Sequence, residues 1–104
     1  MDATCRITVV RRSPGDAMER QVVVSIDGVR AGTLMYGDTL TRDVPAGSHR
    51  LRAHNTLVWK TAQVDLAPGQ TAMFSVVNRP GRGTSGLLSI LGARPLYLDL
   101  VRDE

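Results

Sequence analysis

The chain has 104 residues, 42% hydrophobic and 22% charged, with a formal net charge of +3 and one cysteine. This length bounds it to about one domain, and the balance of apolar and charged residues is that of a folded globular chain rather than a disordered one. A lone thiol excludes an intrachain disulfide framework and a multi-cysteine metal site. No apolar run approaches the roughly 18 residues of a membrane span, and residues 1–6 lack the basic-then-apolar order of a secretion signal. A single domain over residues 1–104 is expected, cytoplasmic if the chain is full length.

Alternation with a period of two dominates the chain. Cys5 to Arg11 places Cys5, Ile7 and Val9 on one face and Arg6 and Thr8 on the other, and Ser13-Pro14-Gly15-Asp16 turns it. Gln21 to Ile26 sends Val22, Val24 and Ile26 inward and meets Asp27-Gly28, a dipeptide that tolerates the positive φ angles of a type I′ hairpin. Across this turn Ile26 is expected opposite Val29 and Val24 opposite Ala31. The inward phase then moves to Leu34 and Tyr36, which predicts a bulge at Gly32.

Gly37-Asp38 leads into Thr39–Val44, with Leu40 and Val44 inward, and Pro45-Ala46-Gly47-Ser48 fits a tight turn. His49 to Asn55 alternates cleanly, with His49, Leu51 and Ala53 on one side and Arg50, Arg52 and His54 on the other. After an irregular Leu57, Val58 and Trp59, Lys60 to Ala67 buries Ala62, Val64 and Leu66. Pro68-Gly69-Gln70 turns the chain, and Thr71 to Asn78 returns with Ala72, Phe74 and Val76 inward. Residues 79–95 read as an exposed glycine-rich loop followed by a short apolar segment, and Leu96 to Val101 as a last strand with Leu96, Leu98 and Leu100 on one face. Short alternating runs divided by turns predict an all-β fold, an antiparallel β-sandwich of seven to eight strands.

Three of these segments carry a resemblance. Val24-Ser25-Ile26-Asp27-Gly28 running on to Gly32, then Val44-Pro45-Ala46-Gly47-Ser48-His49, then Val64 to Thr71 with its Pro68-Gly69 turn, resemble in order and turn chemistry the PEGA-like group of small bacterial β-sandwich domains. The Pro-Glu-Gly-Ala tetrapeptide that names the group is absent, and Leu34-Met35-Tyr36-Gly37 stands near its place. The resemblance implies an immunoglobulin-like or PEGA-like sandwich acting as a non-catalytic accessory or protein-interaction module. It carries over no functional residue.

Few residues suggest chemistry. His49 and His54 lie five apart on one strand, point to opposite faces and cannot share a metal. Ser48 and His49 are sequence neighbours and face apart, and Cys5 sits in an apolar run that raises a thiol's pKa, so no nucleophile–base–orienter set is visible. Gly81-Arg82-Gly83-Thr84-Ser85-Gly86 matches a dinucleotide fingerprint but lacks the helix and parallel partner that the motif needs. No catalytic residue, metal ligand or cofactor site is therefore assigned.

Two surfaces remain. Leu87, Leu88, Ile90 and Leu91 form an apolar cluster suited to a protein partner or to self-association. Arg50 and Arg52, with Arg42 on a neighbouring strand, form a candidate anion-binding face. Nucleic acid is disfavoured because no stacking aromatic is interleaved with these arginines, and membrane contact because the apolar segment is short. The expected function is non-catalytic interaction. The alternatives are an anionic-ligand or nucleic-acid binder through the basic face, and a carbohydrate-binding module stacking on Trp59 and Tyr36.

Overall fold

The computed structural model describes residues 4–16, 21–55, 58–80 and 96–103. In chain order the strands are β1 (Cys5–Val10), β2 (Val22–Ile26), β3 (Val29–Leu34), β4 (Thr39–Val44), β5 (Gly47–His54), β6 (Trp59–Leu66), β7 (Thr71–Pro80) and β8 (Leu96–Arg102). They form two four-stranded sheets, ordered β4-β1-β7-β8 and β3-β2-β5-β6, which sandwich one apolar layer. Among the described residues no helix is long and apolar enough to cross a membrane.

The alternation read from the sequence is what seals this layer. Cys5, Ile7 and Val9 of β1 meet Ala72, Phe74 and Val76 of β7, and both face Val22, Val24, Leu51, Ala53, Val64 and Leu66 of the opposite sheet. Each fully buried aliphatic side chain contributes about 1.5–3 kcal/mol relative to exposure. Asp27 and Gly28 adopt φ of 52° and 83°, the backbone that a two-residue hairpin turn requires. Cys5 is buried, and its thiol donates to the Ala67 carbonyl at 3.1 Å.

Several expectations need correction. The sandwich is not wholly antiparallel, because β1 and β7 run parallel, with Ile7 opposite Ala72 and Val9 opposite Phe74. Side-chain alternation is the same in both kinds of ladder, so periodicity does not distinguish them. The register break lies one residue before Gly32: Val24 pairs with Gly32 and Ser25 with Arg30, which leaves Ala31 as the extra residue. Gly32 is needed for close approach instead, since a Cβ there would stand 2.9 Å from a Leu40 methyl. Tyr36 does not point inward; it is on the β3–β4 turn, exposed, with its hydroxyl donating to the Arg12 carbonyl at 3.3 Å. Arg79 and Pro80 belong to β7, opposite Tyr97 and Leu96 of β8, rather than to a loop. Proline is tolerated there because β1 has already ended alongside Ser75, so its missing N–H interrupts no inner ladder.

One end of the sandwich is closed by a buried polar network that the sequence reading did not anticipate. The Arg11 guanidinium donates to both Asp16 carboxylate oxygens, at 2.9 and 3.1 Å, and to the Leu34 carbonyl at 2.9 Å. Asp16 also accepts the Asn78 N–H at 3.1 Å, and Asn55 donates its amide to the Asn78 side-chain oxygen at 2.6 Å. Both members of the Arg11–Asp16 pair have fully buried side chains. Arg11→Met leaves the Asp16 carboxylate buried without its cation and is expected to cost about 3–5 kcal/mol. Urea denaturation measures this, and a loss below about 1 kcal/mol would show that the pair is replaceable.

Candidate functional site

Strand β5 lies between β2 and β6, so its outward side chains stand at the centre of an exposed sheet face. Because His49, Leu51 and Ala53 point to the core, Ser48, Arg50 and Arg52 must point away from it. The register sets Ser25 beside Arg52 on the β2 side, and Gln63 beside Arg50 on the β6 side. Together with the Asp27–Gly28 turn they line an open depression of about 460 Å³. Arg50 and Arg52 are exposed, and among the described residues neither guanidinium has a hydrogen-bond or ion-pair partner.

One end of this depression is held by a clamp around His49, which is 6% exposed. Its Nδ1 is 2.6 Å from an Asp27 carboxylate oxygen, and its Nε2 is 2.7 Å from the Pro45 carbonyl oxygen. Both ring nitrogens face acceptors, and only the imidazolium carries a proton on each. The hydrogen bond to Asp27 and then that to Pro45 raise the His49 pKa, outweighing the opposing effect of burial. The same contact, followed by the Arg50 backbone N–H donating to Asp27 at 2.8 Å, lowers the Asp27 carboxyl. Asp27 therefore ties the β2–β3 turn to β5, and the His49 ring carries the link on to the turn before β5. Ser48 is no nucleophile for this histidine: it faces the other way and donates to Asp65 of β6.

The predicted anion-binding face is assembled in part. Arg50 and Arg52 share it, and Arg42 does not. Arg42 is on β4, in the other sheet, in the same phase as Leu40 and Val44. Its guanidinium reaches across the sandwich edge and donates to the Ala31 carbonyl of β3 at 2.6 Å. Strand order, which separates β4 from β5 despite the short turn between them, is the reason. Leu87, Leu88, Ile90 and Leu91, and the glycine motif at 81–86, lie outside the described residues.

Trp59 and Tyr36 do not form a joint stacking site. Trp59 opens β6, and Tyr36 follows β3 at the opposite edge of the same sheet, three strand spacings (roughly 14 Å) across and beyond the strand's end. Trp59, at 63% exposure, stands opposite His54 and one row from Arg52 on the outward face. The fold thus sets an aromatic one row from Arg52 and two rows from Arg50, although none is interleaved with them in the sequence. Ser25, Gln63 and the Asp27–His49 clamp were missed as site residues. Val24-Ser25-Ile26-Asp27-Gly28 and the Val44–His49 run did carry the turn chemistry, but nothing linear tied the two together. Among the described residues no three His, Cys, Asp or Glu side chains converge as metal ligands.

Compared with protein-family models, curated proteins and solved structures, the chain matches none.

The clamp makes stability depend on pH in a defined direction. His49, raised above its ordinary 6.5, contributes fully below that value and loses its contribution as pH rises through the folded-state pKa. Asp27, lowered from 3.8, contributes fully above that value and loses its contribution as pH falls through the folded-state pKa. Unfolding free energy is therefore expected to be greatest between those two limits and to decline on the alkaline side. His49→Gln should remove the alkaline decline and cost about 1–3 kcal/mol at pH 6. Urea denaturation across pH 4–9 tests this, and an unchanged alkaline limb in the variant would assign the decline to other groups.

Proposed function

We propose that this chain is a non-catalytic accessory or interaction domain, PEGA-like in kind, that holds an anionic group of its partner or ligand in the depression on the outer face of β2, β5 and β6. The observation that carries this reading is the pair of exposed guanidiniums, Arg50 and Arg52: among the described residues neither is held in a hydrogen bond or ion pair, and the Arg50 charge is only partly offset by the nearby Asp27 carboxylate. Two donor forks two residues apart on one strand suit a phosphate or carboxylate, which arginine binds in bidentate fashion. Ser25 and Gln63 supply neutral donors at the same place. The clamped turn beside them keeps the backbone fixed, so little conformational entropy is lost on binding. A cytoplasmic site agrees with a single buried thiol, Cys5, that has no second cysteine to pair with.

Titration with inorganic phosphate, followed by backbone amide shifts, is the direct test. Shifts should centre on Ser25, Arg50, Arg52 and Gln63 and weaken as salt is raised. Arg50→Ala or Arg52→Ala should each weaken binding by about tenfold. Equal affinity in the double variant would overturn the reading.

Self-association is the second reading, and the β8 edge favours it. Among the described residues β8 has no strand beyond it, and its Val101 is 55% exposed. An unpaired edge with an apolar side chain is a template for another strand. Light scattering after size exclusion should then report a dimer that Val101→Lys returns to a monomer, whereas a monomer at every concentration rules this reading out.

A further inference from the structure

We infer that the ligand of this face is a nucleoside phosphate, with its base stacked on Trp59 and its phosphates on Arg52 and Arg50. This rests on the anion-binding reading above and adds the ligand class. Trp59 occupies the outward phase of β6 shared by Thr61, Gln63 and Asp65, since Val64 and Leu66 of the other phase are buried. Its register partner is His54, and Thr61, two residues on, stands opposite Arg52. Successive outward rows of a strand are about 6.7 Å apart. Trp59, Arg52 and Arg50 therefore form a ladder of one ring and two cations in consecutive rows.

Two features of the ladder select this ligand. A phosphate monoester carries about −1.5 to −2 charges where a carboxylate carries one, and so better matches two guanidiniums that form no ion pair among the described residues. The indole has no cation over it among the described residues, the one such contact being Arg102 on Phe74. At 63% exposure its ring is available to a planar base, and stacking of a base on an aromatic side chain tolerates any base. A phosphosugar without a base would use only the two lower rows, and an uncharged sugar only the upper one.

Trp59 is the sole tryptophan, so its fluorescence reports the ring contact directly. At low salt, adenosine 5′-monophosphate should quench this emission and bind roughly tenfold more tightly than ribose 5-phosphate, the difference being the stacked base. Ribose 5-phosphate should move the Arg50 and Arg52 amides without quenching. Trp59→Ala should bring the two affinities together, Trp59→Phe should restore much of the gap, and Arg52→Ala should weaken both ligands. A short single-stranded oligonucleotide run beside the mononucleotide separates the sources: tighter binding of the strand assigns the face to nucleic acid, and equal binding to free nucleotides, and both support the inference. Equal affinity of the nucleotide and the phosphosugar, with unchanged emission, overturns the inference and leaves the anion site standing. Tighter binding of a uronic-acid oligosaccharide than of either overturns the ligand class. No amide shift with any phosphate compound overturns the anion site and the inference together.

Discussion

The inward phase of each strand is the constraint on which the rest of the structure depends. β1, β2, β5, β6 and β7 each send an aliphatic or aromatic side chain toward the other sheet at every second residue, and those side chains fill one continuous layer. A slip of one residue in any ladder would turn that strand's apolar set to water and its polar set to the core. Register is therefore tightly held, while strand direction is not. β1 contributes Ile7 and Val9 equally well beside a parallel β7 as beside an antiparallel β4.

The same phase explains the buried polar groups. Arg11 continues the series Cys5, Ile7, Val9; Asn55 continues Leu51, Ala53; Asn78 continues Phe74, Val76. Each strand runs its core phase one step beyond the apolar layer, and at one end of the sandwich the three polar side chains meet, with Asp16 as the counter-charge. Buried charge is tolerated there because every donor finds an acceptor: among the described residues no buried side-chain nitrogen or oxygen lacks a partner. His49 continues the core phase of β5 in the other direction, where it meets Asp27 and the Pro45 carbonyl at a half-open corner.

The two faces of β5 are thus coupled through one strand. The residues that anchor it inward set the direction of Arg50 and Arg52, and the Asp27 clamp ties the turn beside them to the β5 backbone. An outer face on such a scaffold is held in place for the same reason that the core is sealed.

Much of the fold was legible in the linear pattern: the eight alternating runs, the Asp27-Gly28 hairpin, the inward set from Cys5 to Leu98, and the opposed directions of His49 and Arg50. These are local properties, set by backbone sterics and the two-residue repeat of an extended chain. Even the polar ends left a trace, since Arg11, Asn55 and Asn78 keep the core phase of their strands. Strand order, the parallel β1–β7 ladder, the transfer of Arg42 to the other sheet, the meeting of Asp27 with His49 and the placing of Trp59 one row from Arg52 belong to tertiary structure alone. They join residues far apart in the chain, and alternation says which side a residue faces without saying which strand lies beside it.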